Sequence, residues 1–330
     1  MWFTNPFSSP YFPEAVYTLG GLLGFTLLAL LAMARFSVTR LREGVLFKRW
    51  LVWAWIAPIY TVAVLSGRAP ALVLFAAMGF QCAREYATLV GLPTPYRYSF
   101  FAATLATWPA AAISDTSFYI LPPLLLVAGT LQPLLFGNVR DGVRHLAFGA
   151  LGWGYAAWLP AHLLLMQRQF DGGPGLLLVV GLAVALSDVS AFTVGKRFGR
   201  RKLAPRVSPN KTVEGVAGNV VGAGLGVGLM WFAVPGWLPL AAAVGLPFVV
   251  AAGAVWGDLF ESAIKREFGA KDAGTWLPGF GGLLDRVDSL ILAAPLVYYL
   301  LRLSGEQAAG LASASSDRHP IRRVKREHWT

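Results

Sequence analysis

The chain has 330 residues, 56% of them hydrophobic and only 14% charged, and its mean hydropathy is +0.56. A soluble domain usually carries about 25% charged residues, so a soluble globular protein is excluded and a polytopic membrane protein expected. The formal charge of +11 would suggest nucleic acid in a soluble chain, but no DNA- or RNA-binding motif accompanies it and no nucleic-acid partner is expected.

The chain starts with MWFTNPFSSPYFPEA, which lacks a basic n-region, so no cleavable signal peptide is expected. At roughly 20 apolar residues per span, candidate spans fall near 15–34, 50–66, 69–90, 98–116, 118–136, 146–166, 174–195, 213–234, 238–260 and 284–302. The expected fold class is all-α, a polytopic transmembrane helix bundle of about ten spans. Cations gather in three connecting segments. The first holds Arg35, Arg40, Arg42, Lys48 and Arg49, and the second runs from Lys196 to Lys211. The third follows residue 260, with Lys265, Arg266 and Lys271. Ten spans place all three on one side, which the positive-inside rule makes cytoplasmic. The tail SSDRHPIRRVKREHWT breaks the pattern, being basic yet outside by this count; it is expected to be disordered and to hold anionic lipid weakly.

In GNVVGAGLGVG, Gly218, Gly222 and Gly226 fall four apart on one helix face. No strand precedes them and the spacing is not that of a dinucleotide loop, so close helix–helix packing is the expectation.

Three stretches carry the chemistry. In LSDVSAFTVGKRFGRRKLAPRVSPNKTVEG, residues 186–215, Asp188 lies within an apolar helix. A carboxylate there costs about 2.5–3.5 kcal/mol on insertion scales, so it should face the bundle interior or a watery cavity. Pro209 then bars a helix, and Thr212 is placed to cap the next one. Lys211 beside that helix N-terminus suits a phosphate. A positive-inside loop accounts for the arginines, but not for Ser208, Asn210, Lys211 and Glu214 gathered at one helix start.

In GDLFESAIKREFGAKDAG, residues 257–274, Asp258, Glu261, Ser262, Lys265 and Arg266 recur at helical spacing and form one polar face. A membrane-level carboxylate one turn from two cations suits a metal with a phosphate; an amphipathic helix end with internal ion pairs is the plainer alternative. In KDAGTWLPGFGGLLDRVDS, residues 271–289, Pro278 and three glycines make LPGFGG a tight turn. Asp285 and Asp288 follow, three apart and pointing the same way, at the mouth of the apolar run LILAAPLVYYLL. With Asp258 nearby they make an all-oxygen site for a hard divalent cation, for which Mg²⁺ is the natural choice. Zinc is not expected, because Cys82 is the sole cysteine and His145, His162, His319 and His328 are scattered.

These blocks resemble a known family. SxxKRxxxxKDxGxxLPGxGGxxDRxDS, from Ser262 to Ser289, and SD…KLAPxxSPNKTxEG, from Ser187 to Gly215, are similar to the signatures of phosphatidate cytidylyltransferases, or CDP-diglyceride synthases. The resemblance covers roughly the C-terminal half. It implies transfer of the cytidylyl group of CTP to phosphatidic acid, giving CDP-diacylglycerol and pyrophosphate, with Mg²⁺ and room for a second, monovalent cation. It implies that Asp258, Asp285 and Asp288 hold the metal, with Asp188 a further ligand or the partner of a buried cation. Lys211, Lys265, Arg266 and Lys271 would neutralise phosphates, and Arg286 would pair with Asp258 or clamp a phosphate. Ser208, Asn210, Glu214 and Ser262 would complete substrate binding. The implied partners are CTP, phosphatidic acid and membrane lipids, with a homodimer compatible. The expected location is a bacterial inner membrane, since no eukaryotic targeting presequence is read, multi-pass, with the site on the cytoplasmic side by the positive-inside rule.

One position departs from the pattern. The family signature usually reads LPGHGG, and Phe280 stands at the histidine. Phenylalanine can neither hydrogen-bond a phosphate nor shuttle a proton. This leaves open another CTP-dependent lipid phosphotransferase, of the polyprenol-kinase kind, or a non-catalytic or transport relative. The chain thus divides into N-terminal transmembrane helices over 1–173, a C-terminal transmembrane catalytic region over 174–302, and the basic tail over 303–330.

Overall fold

The computed structural model of the chain describes residues 1–135, 137, 140–276 and 281–316. Helices dominate: α1 (Phe12–Met33), α2 (Val38–Glu43), α3 (Val45–Leu65), α4 (Arg68–Leu89), α5 (Thr94–Ile113) and α6 (Asp115–Leu135) make the first half. Then come α7 (Gly142–Trp153), α8 (His162–Gln169), α9 (Gly173–Phe198), α10 (Val213–Leu229), α11 (Leu240–Glu267) and α12 (Leu284–Ser316).

Each of the ten positions read from hydropathy is helical, and the fold is an all-α membrane bundle. Among the described residues, five helices are long and apolar enough to cross a membrane by length and composition: α1, α6, α9, α11 and α12 up to Glu306. The others fall short for local reasons. α10 has only 17 residues, and α4 carries Arg68, Gln81, Arg84 and Glu85. The position expected at 146–166 is broken. After α7 the chain makes a π-helical turn, Gly154–Trp158, closed by Leu159 N donating to Gly154 O at 2.9 Å. Pro160 follows, and its missing N–H interrupts the ladder before α8.

Two further differences concern the motif region and the tail. Residues 202–212, read as a loop, form a two-stranded antiparallel hairpin of β1 (Lys202–Ala204) and β2 (Ser208–Thr212), pairing Lys202 with Thr212 and Ala204 with Ser208. α12 does not stop near 302 but continues to Ser316, over an alanine-rich segment of high helix propensity. Pro278, Phe280 and the tail beyond 316 lie outside the described residues.

None of the apolar window of α1 is buried against protein, whereas 56% of that of α12 is. α12 therefore runs through the centre and α1 along the lipid-facing edge. The core gathers around Leu176–Val180 of α9 and Ala293–Leu301 of α12. α9 and α10 touch backbone to backbone, as the glycine spacing requires. A Cβ on Gly222 would lie 2.2 Å from Leu186 O, and one on Gly226 2.4 Å from Ala183 Cα. α11 meets α12 in the same way: a Cβ on Gly257 would lie 2.2 Å from Asp288 O. That approach sets Asp258 beside the first turns of α12.

Candidate active site

The two motif blocks converge at one end of the bundle. β2 delivers Lys211, whose Nζ lies 2.6 Å from Asp258 Oδ2 on α11. Thr212 ends β2 and caps α10, its Oγ1 accepting from Gly215 N at 3.1 Å. This is the cap expected from the sequence, and it fixes Lys211 immediately before the helix start. Glu214 holds the other side of the hairpin. Its carboxylate accepts from the backbone N–H groups of Arg200 and Arg201 at 3.0 and 3.2 Å, so it organises the turn out of α9. Arg266 reaches back from α11 to Val207 O at 3.3 Å and also donates to Ala270 O at 2.9 Å. It thereby docks the hairpin on α11. Ser208 is half-buried and Asn210 exposed on β2.

Ser262 Oγ donates to Asp258 Oδ1 at 3.3 Å, one turn along α11. Behind Asp258 lies Asp288, buried, with Oδ1 accepting from Ser289 N at 2.8 Å. The acidic side chains within electrostatic range of Asp288 are Asp258, Asp188 and Glu261. Asp188 enters from α9 and accepts from Ser289 Oγ at 3.0 Å, so it faces the bundle interior as expected. Ser289 thus ties α9 to α12 at the depth of the site. Arg286 and Lys271 are both exposed at the rim.

Asp285 stands apart from the other aspartates. Its Oδ1 accepts from Lys265 Nζ at 2.7 Å, and its Oδ2 accepts from Ala273 N at 3.0 Å and Gly282 N at 2.7 Å. Lys265 also pairs with Glu261, which is buried. Both partners of Lys265 are therefore protein carboxylates, and Asp285 is directed at its own preceding loop. Among the described residues, no three acidic, histidine or cysteine side chains gather as a metal-binding group. The four aspartates expected to share a metal do not meet at one point. Three-residue spacing puts Asp285 and Asp288 on neighbouring sides of α12, but the backbone donors of the loop turn Asp285 away. Asp258 and Asp288 remain as an all-oxygen pair. This pair fits a hard cation that takes its other ligands from substrate phosphates and water.

The sequence reading missed Glu85. It sits on α4, in the half of the chain that carried no motif, and is 6% exposed. Its Oε1 accepts from Leu283 N at 3.0 Å and its Oε2 from Leu284 N at 2.8 Å, at the start of α12. Part of the signal was available, since a carboxylate within a mostly apolar run carries the insertion cost that singled out Asp188, but Gln81 and Arg84 beside it make Glu85 read as an ordinary polar helix end.

The sequence model of the cytidylyltransferase family matches residues 47–304. YnbB of Escherichia coli (strain K12), described as an uncharacterized protein, is 34% identical over 302 residues, covering 84% of this chain and 96% of YnbB. The phosphatidate cytidylyltransferase of Bacillus subtilis (strain 168) is 32% identical over 275 residues, covering 75% of this chain and 94% of that protein. The phosphatidate cytidylyltransferase of Pseudomonas aeruginosa (PAO1) is 37% identical over 233 residues, covering 67% and 83%.

Proposed function

Because the chain belongs to the cytidylyltransferase family, we propose that it transfers the cytidylyl group of CTP to phosphatidic acid, releasing pyrophosphate and leaving CDP-diacylglycerol in the membrane. The observation that carries this reading is the 2.6 Å pair of Lys211 with Asp258, which joins the two motif blocks into one charged site at the end of an apolar bundle. Two polyanions have to meet there. Lys211, Lys271 and Arg286 supply positive charge, while the apolar faces below accept acyl chains. Lys265 and Arg266 act behind them, holding the loop and the hairpin in place.

An oxygen of the lipid phosphate attacks the α-phosphorus of CTP, the bond to the β-phosphate oxygen breaks, and pyrophosphate departs. Such transfer depends on positioning and charge neutralisation. A phosphate monoester, with a second pKa of about 6, is already ionised near neutral pH, so no strong base is required. This suits two motif blocks that contain no histidine. Asp258 and Asp288 would hold Mg²⁺ together with the CTP phosphates, and Asp188 stands where a second, monovalent cation would be neutralised. Held there, Mg²⁺ would supply neutralisation of the charge developing on the phosphate oxygens. The segments bearing Lys196–Lys211 and Lys265–Lys271 face the cytoplasm of an inner membrane by the positive-inside rule, and a homodimer is compatible with the exposed apolar faces.

The test is turnover of labelled CTP by purified protein in mixed micelles with phosphatidic acid and Mg²⁺, beside Asp288→Ala. A lipid-soluble CDP product with pyrophosphate, lost in the variant, is expected. Release of CDP would mean transfer of the γ-phosphate instead, and no turnover by the parent chain would leave it a non-catalytic relative.

A further inference from the structure

The helix that carries Asp285, Arg286 and Asp288 starts without a capping side chain of its own kind. Its first residue is Leu284 and the residue before it Leu283. The first N–H groups of a helix have no partner inside it and need one elsewhere. Here both partners come from Glu85, 198 and 199 residues away in sequence, one carboxylate oxygen to each N–H. Gln81 steadies the carboxylate from the same helix, Nε2 donating to Glu85 Oε1 at 2.9 Å. An anion at this end is also favoured by the helix dipole.

Gly274 and Gly282 pack close against this carboxylate. A Cβ on Gly274 would lie 2.9 Å from the Glu85 carboxyl carbon, and one on Gly282 2.4 Å from its Oε2. Only residues without side chains fit against the carboxylate on both flanks. Asp285 then ties Ala273 and Gly282 to the same turn. Two carboxylates, one from each half of the chain, therefore fix the backbone at Ala273 and at Gly282–Leu284 and set the start of α12.

We infer that Glu85 is a positioning residue for cytidylyl transfer: by capping α12 from α4 it sets the rotation and height at which Asp288 and Arg286 meet Asp258 and Lys211. The N-terminal half is then part of the catalytic apparatus and not only a membrane anchor. The inference rests on the cytidylyl-transfer reading of the site. Lys211 stands on β2 and Asp258 on α11, neither held by Glu85, so CTP binding should survive its loss better than turnover.

Glu85→Gln tests this. An amide keeps an oxygen at only one of the two positions and puts an NH₂ donor at the other, facing an N–H that is also a donor. In hydrogen exchange on the full-length protein in detergent, the amides of Leu283 and Leu284 should exchange faster, while Leu176–Val180 in the core of α9 stay as protected as in the parent. kcat should fall about 10- to 100-fold, as for other residues that orient a site from behind, with KM for CTP changing far less. Glu85→Asp keeps two acceptor oxygens and should recover part of kcat. Parental kcat in folded Glu85→Gln overturns the inference. So does a loss that tracks only the folded fraction, with α9 deprotected alongside α12. If Glu85→Gln does not fold, Glu85→Asp is read alone by the same measures; failure of both to fold assigns Glu85 to folding and overturns the inference. A parent chain without turnover, assayed alongside, overturns the cytidylyl-transfer reading itself, and this inference with it.

Discussion

Gly257→Ala is the sharpest test of how the site is built. The added Cβ would sit 2.2 Å from Asp288 O, 2.9 Å from Asp288 C and 3.2 Å from Ser289 Cα. Ordinary contact begins at 3.4 Å, so the shortfall against the carbonyl oxygen is about 1.2 Å. All three atoms are backbone, so no rotamer change relieves the clash and α11 and α12 must separate locally. Overpacking of this kind costs about 1–3 kcal/mol of stability. The same displacement moves Asp258, next in sequence, relative to Asp288. Misplacement by about 1 Å can cost about 100-fold in rate. Gly226→Ala provides the control. Its Cβ would lie 2.4 Å from Ala183 Cα in the α9–α10 contact, a comparable clash between backbones but away from Asp258 and Asp288. Thermal unfolding in detergent should show similar losses for both variants. Turnover per folded molecule should fall about 100-fold in Gly257→Ala and little in Gly226→Ala. Equal turnover losses per folded molecule would refute the view that the α11–α12 approach sets the catalytic geometry.

Lys211→Ala and Asp258→Ala should each abolish most turnover, and their double variant should lose less than the two losses combined. Measured as a cycle in kcat/KM, the coupling should fall within about 0.5–3 kcal/mol, as expected of groups in direct contact; strict additivity would separate the two motif blocks. Lys265→Met leaves Glu261 and Asp285 buried without their cation, and breaking a buried pair in this way costs about 3–5 kcal/mol. The expected result is a large loss of folded protein on size exclusion, not a selective rise in KM. Thr212→Ala removes the cap of α10 and should cost about 1 kcal/mol in thermal unfolding, with a fall in turnover per folded molecule smaller than that of Lys211→Ala, because Lys211 precedes the capped helix start.

The helical frame was legible because hydropathy is set by local composition: nine of the ten apolar runs became a helix within a few residues, and the tenth, at 146–166, became two. The break at 154–161 was not, because the apolar run continues through Pro160 and only the backbone ladder records the interruption. The hairpin at 202–212 was missed because its strands are only three and five residues long, Pro209 interrupts the second, and Arg266 docks it from another element. Within the site, Thr212, Lys211, Asp258 and Asp188 stand where their spacing suggested. Asp285 differs because the direction of a carboxylate depends on nearby donors, here the N–H groups of Ala273 and Gly282, which no spacing rule reports. Glu85 escaped for a related reason: its meaning depends on a contact nearly two hundred residues away.

The acidic residues of this site divide by what their oxygens face. Glu85 and Asp285 have neighbouring backbone N–H groups as partners, and Asp285 has Lys265 as well. Asp258 faces a cation on a partly exposed side chain, Lys211, which a substrate phosphate can draw away. Asp288 accepts from one backbone N–H only, on Oδ1, among the contacts of its described neighbours. A carboxylate whose acceptor positions are filled by fixed donors resists recruitment by a metal, since each ligand bond would leave a buried N–H unpaired at a cost of about 1–3 kcal/mol. One whose partner is a partly exposed lysine side chain loses little on exchange. Under the proposed function, Asp258 and Asp288 would then serve the chemistry and Glu85 and Asp285 the loop, although Asp285 and Asp288 share one motif and one helix turn. Substituting Asp285 should therefore disturb the protection of loop amides together with turnover, whereas substituting Asp288 should remove turnover and leave the amides of Ala273 and Gly282 as they were.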